Sequence, residues 1–136
     1  MTTRIRECDE RISAGRFRKA LQFRDAAKTI REFADDEGEI GDAFVTLCVH
    51  AGIAAADTLC CEALGHHAQG DNHAQAITEL SKVTPRGDEL SNDLRLLLQM
   101  KPRAEYGPIP VTVEQRKRAW RRAERLVEAA RLCRSS

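Results

Sequence analysis

The chain has 136 residues, a net charge of +1 and only 4% aromatic residues. That length suits one domain with a modest single core. Near-neutral bulk charge gives no argument for nucleic-acid binding, and abundant Ala, Leu and Arg favour helices packed closely through small side chains. Charge is unevenly placed. Ala34 to Ser81 holds no Lys or Arg but contains Asp35, Asp36, Glu37, Glu39, Asp42, Asp57, Glu62, Asp71 and Glu79. Thr112 to Ser136 carries eight basic and three acidic residues. The middle is acidic and the ends are basic.

Helical periodicity dominates, and no segment alternates like a strand. Ala20, Phe23, Ala27, Ile30 and Ala34 form one stripe of an amphipathic helix from Gly15 to about Ala34. A short helix over Thr3 to Ser13 precedes it or joins it across Gly15. DDEGEIG is the first loop, and its acids suit the positive N-terminus of the next helix.

That helix, Asp42 to Leu64, is apolar on nearly every side, which places it in the middle of a bundle. Its His50 and Asp57 lie seven residues apart, drift by only about 20° and point the same way. A membrane span is disfavoured, because Asp57 near its centre would cost roughly 2.5–3.5 kcal/mol on insertion. Gly65 is the expected C-cap.

HHAQGDN is a loop, with Asp71 or Asn72 capping a third helix over His73 to Val83. A fourth helix runs from about Glu89 to Met100, burying Leu90, Leu94, Leu97 and Leu98, and should end or kink at Pro102. YGPIPV is an extended link. Thr112 and Gln115 form a capping box for the last helix, which reaches about Cys133. Its core stripe is Val113, Trp120, Ala123, Val127 and Ala130, flanked by Leu126. The expected fold is an all-α, antiparallel up-and-down bundle of about five helices in one domain, its core spanning about residues 15–132.

Five cysteines with no apolar leader read as reduced thiols in a cytoplasmic protein. Cys60 and Cys61 point about 100° apart on a helix, so they cannot easily share one ion with His66, His67 and His73. No metal or other cofactor is expected. No Cys or Ser lies in a nucleophile motif, and no glycine-rich phosphate loop is present.

The order of these pieces resembles the HEPN superfamily of prokaryotic helical-bundle proteins. The residues that carry the resemblance are VHAGIAAAD (Val49 to Asp57), GDNH (Gly70 to His73), LLLQMKPRAEY (Leu96 to Tyr106) and RAWRRAERLVEAAR (Arg118 to Arg131). The resemblance implies a homodimer. It also implies either a metal-independent ribonuclease, often a toxin of a toxin–antitoxin pair, or a non-catalytic protein that binds nucleic acid, nucleotides or a partner nucleotidyltransferase. Catalytic members use an Arg and, further along, a His beside the scissile phosphate. Here Lys101 stands at the Arg position and Tyr106 at the His position; counting from Arg103 reaches Gly107, Pro108 and Ile109. Neither register supplies a His, and a tyrosine with an ordinary pKa of about 10 does not readily accept a proton at neutral pH. In related systems a tyrosine near this motif is nucleotidylated by the partner enzyme, which makes Tyr106 a comparable position.

Two readings of His50 and Asp57 stand side by side. They are polar core residues fixing helix register, or they line a dimer-facing cleft with Lys101, Arg103 and Tyr106, His50 being the imidazole available for acid–base work. His73 is expected in the first turn of the third helix. Arg118, Arg121, Arg122 and Arg125, with Arg116, Lys117, Arg131 and Arg134, form a basic face that suits either phosphate contacts or docking onto an acidic surface. Trp120 is expected to pack in the core. The combined expectation is a small HEPN-like protein that binds RNA or nucleotides without robust nuclease activity. A helical scaffold or dimerisation module is the alternative, and a ribonuclease with a substituted motif is the second alternative.

Overall fold

The structure is a computed structural model that describes residues 4–70 and 72–136. Thr3 and Asp71, named above in an expected helix and cap, lie outside the described residues. The elements run β1 (Ile5–Glu7), α1 (Glu10–Phe33), a single 3-10 turn (Glu37–Ile40), α2 (Gly41–Leu64), β2 (His66–Ala68), α3 (His73–Ser81), α4 (Gly87–Glu105) and α5 (Val113–Ser135). The fold is an all-α bundle.

Cross-helix pairs set the directions. Arg16 meets Asp57 and Phe23 meets His50, so α1 and α2 are antiparallel. Gly52 lies against Leu97 and His50 against Glu105, so α4 is antiparallel to α2. Asp93 meets Arg122 and Arg125, while Met100 and Gln115 line one cleft, so α5 returns along α4. The four long helices therefore alternate up and down, and the nine-residue α3 fills the connection between α2 and α4.

α2 is the centre, with α1, α4 and α5 packed around it. Val45, Cys48, Val49, Ala51, Ala54, Ala55, Leu59 and Cys60 are all buried, while Ala43 is exposed and Thr46, Leu47, His50 and Ile53 are only partly covered along one side of its first half. The run Glu37–Leu64 is long and apolar enough to cross a bilayer by composition, yet 78% of its most apolar window is buried inside the bundle. It is a core helix. Small residues set the spacing: a Cβ at Gly52 would lie 2.5 Å from Leu97 Cδ1, and one at Gly87 would lie 2.5 Å from the Ser81 carbonyl oxygen. Gly65 closes α2 in the left-handed conformation at φ 76°, as its sequence position implies.

Several expectations need correction. Ile5–Glu7 is a strand in place of the start of the expected Thr3 to Ser13 helix, and α1 begins at Glu10, capped by Asp9; its unbroken run through Gly15 is the joined arrangement of the two expected. Part of the HHAQGDN loop is also a strand: β1 and β2 pair antiparallel, with Arg6 opposite His67. Strands of three residues are too short for alternation to show in sequence. α3 ends at Ser81, two residues early, and Asn72 is its cap, its side chain accepting from the Gln75 N–H at 3.0 Å. α4 continues through Pro102 to Glu105. Proline there removes one donor on an exposed face, while Ala104 is buried and Lys101 pairs with Glu105 at 2.8 Å across the next turn. Val113, assigned above to the core stripe, is exposed. Thr112 and Gln115 do form the capping box.

The cysteines also differ from the all-reduced expectation. Cys8 and Cys61 are joined in a disulfide, which ties the β1–α1 junction to the last turn of α2. Cys48, Cys60 and Cys133 are free thiols, and burial pushes Cys48 and Cys60 up to about 12 each. Those two are inert packing residues at neutral pH.

The ends of the bundle are held by ionic clusters. Arg134 near the end of α5 donates to Glu10 at 2.7 Å, Ser13 at 2.9 Å and Glu62 at 3.1 Å, joining three helices. Asp42 at the start of α2 accepts from the Val111 N–H at 3.0 Å, anchoring the link before α5.

Glu79 of α3 is fully buried, where it meets His66 of β2 at 2.6 Å, Gln75 at 2.7 Å and Lys82 at 2.8 Å. Burial pushes its carboxyl up, but these partners together outweigh it and hold the group below its ordinary value of 4.5. A depressed carboxylate stabilises the fold above the unfolded value, and that contribution is lost as pH falls through the folded one. The protein should therefore lose stability below about pH 4.5. Glu79→Gln should flatten this loss while costing about 1–3 kcal/mol at pH 7. Urea midpoints between pH 7 and pH 3 check this, and identical acid slopes in both proteins would contradict it.

Candidate nucleic-acid interface

The residues expected to line one cleft fall into three separate clusters. In the first, His50 is half-buried, stacks near Phe23 with centroids 5.4 Å apart, and places Nε2 3.5 Å from Glu105. Glu105 also accepts from Lys101 at 2.8 Å, and the Lys101 ammonium sits 5.7 Å from the Tyr106 ring centroid. Burial raises the Glu105 carboxyl, but Lys101, His50 and Tyr106 outweigh it and hold the group below its ordinary value. His50, Lys101 and Tyr106 are thus neighbours, as expected. Arg103 is not part of this group: its guanidinium donates to the Pro110 carbonyl at 2.7 and 3.1 Å, bracing the link to α5.

Asp57 belongs to the second cluster. It faces α1, as does His50, but seven residues further along α2 it meets Arg16 at 2.8 Å and His67 at 3.8 Å. Burial pushes its carboxyl up, against the opposing pull of Arg16 and His67. His73 opens α3, a separate element from the Lys101–Tyr106 segment of α4. The two-residue reading of His50 and Asp57 therefore divides: both fix the α1–α2 register, and only His50 adjoins the Lys101–Tyr106 segment.

The third cluster is the basic face of α5, and the structure splits it. Asp93 of α4 is buried, and it is clamped by Arg122 at 2.7 Å and by both ends of Arg125 at 2.6 and 3.1 Å. The bidentate Arg125 contact is the strong form of this interaction. These two arginines hold α5 to α4. Arg118 lies beside Arg122 on the same side, near Leu96 and Gln99.

Arg116, Lys117 and Arg121 point the other way, into a groove of about 410 Å³ between α1, the 37–40 turn and α5. Arg31 from α1 completes its basic rim, against one acid, Glu37. The floor is aromatic. Phe44 and Trp120 stack with centroids 6.0 Å apart and planes 29° apart. The Arg31 guanidinium lies 4.4 Å from the centroid of the Trp120 ring. Trp120 is only partly buried, so it serves both core and groove. Arg31 and Phe44 could not be placed here from sequence, because only the packing of α1 and α2 against α5 joins them to Trp120.

Such a groove combines the two features that single-stranded nucleic acid needs: cations for phosphates, and planar groups on which bases stack. Arginine guanidinium planes and indole rings both serve as stacking surfaces. No model of a known protein family matches the chain, and neither the curated proteins nor the solved structures contain a match.

The division of the arginines is testable. Replacing both Arg122 and Arg125 by Ala leaves Asp93 buried without partners, which should cost about 3–5 kcal/mol of stability. Denaturant unfolding measures this, and a loss under about 1 kcal/mol would place the pair among ordinary surface ion pairs.

Proposed function

We propose that this chain is a small HEPN-like protein that binds single-stranded RNA through the groove of Arg31, Arg116, Lys117, Trp120 and Arg121. The observation that carries this reading is the Trp120 indole, stacked near Phe44 with the Arg31 guanidinium over both rings and rimmed by three further cations. Near-neutral overall charge does not oppose it, because a local patch sets phosphate affinity. The order of the helices and the residues from Val49 to Asp57 and from Leu96 to Tyr106 support the HEPN resemblance, and with it a place in a toxin–antitoxin or defence system beside a nucleotidyltransferase.

A binding role is favoured over nuclease activity. Lys101 is engaged by Glu105, Arg103 by the Pro110 carbonyl, and Tyr106 is exposed to 79%. His50 is the imidazole nearest this segment, and it faces Glu105. The scaffold reading has its own support: Tyr106 and Ile109 stand exposed at the end of α4 and in the link that follows, a surface suited to a second copy of the chain in a homodimer.

Fluorescence anisotropy with a labelled single-stranded oligoribonucleotide tests the proposal. Binding should weaken with salt, at a logarithmic slope of about −0.7 per phosphate neutralised. Lys117→Ala and Arg121→Ala should each weaken binding and reduce the slope by roughly one contact. Arg118→Ala, on the other side of α5, should change neither. Equal effects of all three variants would reject the groove, and binding of a mononucleotide as tight as that of the oligomer would make nucleotide the ligand. Cleavage of the oligomer without added metal would overturn the non-catalytic reading.

A further inference from the structure

Cys8, Cys61 and His67 come together at the opposite end of α2 from the groove. One ligand atom from each lies within 4.8 Å of the other two. They arrive from three elements. Cys61 is in the last turn of α2, directly before the Gly65 cap, whose N–H returns to the Cys61 carbonyl at 3.1 Å. Cys8 follows β1, and its N–H donates to the Gly65 carbonyl at 3.0 Å. His67 is in β2, opposite Arg6. The β1–β2 pairing and the α2 cap therefore fix all three positions through backbone bonds that do not need the disulfide.

The imidazole is prepared for a ligand. His67 is buried, and its Nδ1 donates to the Ala68 carbonyl at 2.6 Å, with Asp57 Oδ1 a further 3.8 Å from the same nitrogen. A proton held on Nδ1 leaves the Nε2 lone pair bare. Metal-bound histidines are oriented in this way, with the second nitrogen on a carbonyl or carboxylate. Beside the cluster is a cavity of about 430 Å³ lined by Arg6, Ile12, Arg16, Asp57, His67 and Gly70, which gives solvent a route to it.

We propose that in the reduced protein Cys8, Cys61 and His67 bind zinc(II), and that the metal and the Cys8–Cys61 disulfide are mutually exclusive states of one site. Two thiolates and one imidazole are a soft ligand set that selects zinc over magnesium or calcium. Three protein ligands leave a fourth tetrahedral position for water from the cavity. Zinc–sulfur bonds of about 2.3 Å place the two sulfurs about 3.7 Å apart, so the bonded pair must separate before metal can enter. A dithiol reductant breaks the Sγ–Sγ bond with two electrons and two protons, giving two thiols and the oxidised reductant. Zinc then displaces the two thiol protons and forms two zinc–sulfur bonds and one zinc–nitrogen bond.

The test uses the full chain, oxidised or reduced with a non-metal-binding phosphine, then dialysed against zinc or cobalt(II). The reduced wild type should hold one metal per chain, and its cobalt form should show thiolate-to-cobalt charge transfer. The oxidised protein should hold less than about a tenth of that. Zinc should protect Cys8 and Cys61, but not Cys133, from alkylation, as mapped by mass spectrometry. Cys8→Ser and His67→Gln should each lower affinity at least about tenfold, while Cys60→Ser should not. The proposal is overturned if reduced wild type takes up no metal, if its cobalt form lacks the thiolate band, or if zinc leaves Cys8 alkylation unchanged. Those three readings need no variant to fold.

Discussion

Everything in this bundle depends on packing α2 against three long helices at once. A helix with apolar residues around its whole circumference cannot rest on a single neighbour, so α1, α4 and α5 must surround it. Close approach is made by small residues, as where Gly52 lies against Leu97. The polar groups that α2 does carry then become fixed reference points. Asp42 holds the link before α5, His50 meets Glu105, Asp57 meets Arg16, and Glu62 meets Arg134. Each joins α2 to a different place in the surrounding layer. Removing a partner from a buried carboxylate costs more than the pair contributes when intact, so such contacts specify register more than they add stability.

The surrounding helices are consequently left with one face for the core and one for solvent, and function falls on the second. α5 shows this division most clearly. Ala119, Ala123, Leu126 and Ala130 face the core, Arg122 and Arg125 reach sideways to the buried Asp93, and Arg116, Lys117 and Arg121 turn to the groove. Arginines close together in sequence thus do different work. The Cys8–Cys61 disulfide, with His67 and Asp57 nearby, lies at the other pole of α2 from the groove.

The helices were largely legible in sequence because their signals are periodic and long. The stripe Ala20, Phe23, Ala27, the Gly65 cap and the Thr112–Gln115 box all depend on local spacing, and they appear where that spacing puts them. Three-residue strands carry too little pattern to be seen, and a proline does not reveal in sequence whether its helix continues past it, as α4 does through Pro102 to Glu105. The site was less legible. Which side of α5 each arginine serves depends on Asp93, a residue of another helix with no local signature. Arg31 and Cys8 were likewise invisible as site residues, since their partners lie far along the chain. His50 and Asp57 do face the same neighbour, α1, as seven-residue spacing implies, but sharing a face did not mean sharing a cleft.

The central claim is that Trp120 belongs to a binding groove as well as to the core. The chain has one tryptophan and one tyrosine, so emission excited selectively at the indole, beyond the tyrosine band, reports on that groove alone. Titrating the native protein with unlabelled single-stranded oligoribonucleotide should change this emission saturably, and added salt should reverse the change as phosphates regain their counterions. Emission that stays constant while the oligomer binds would place the RNA elsewhere on the molecule, and constant emission with no binding at all would remove the groove's proposed role.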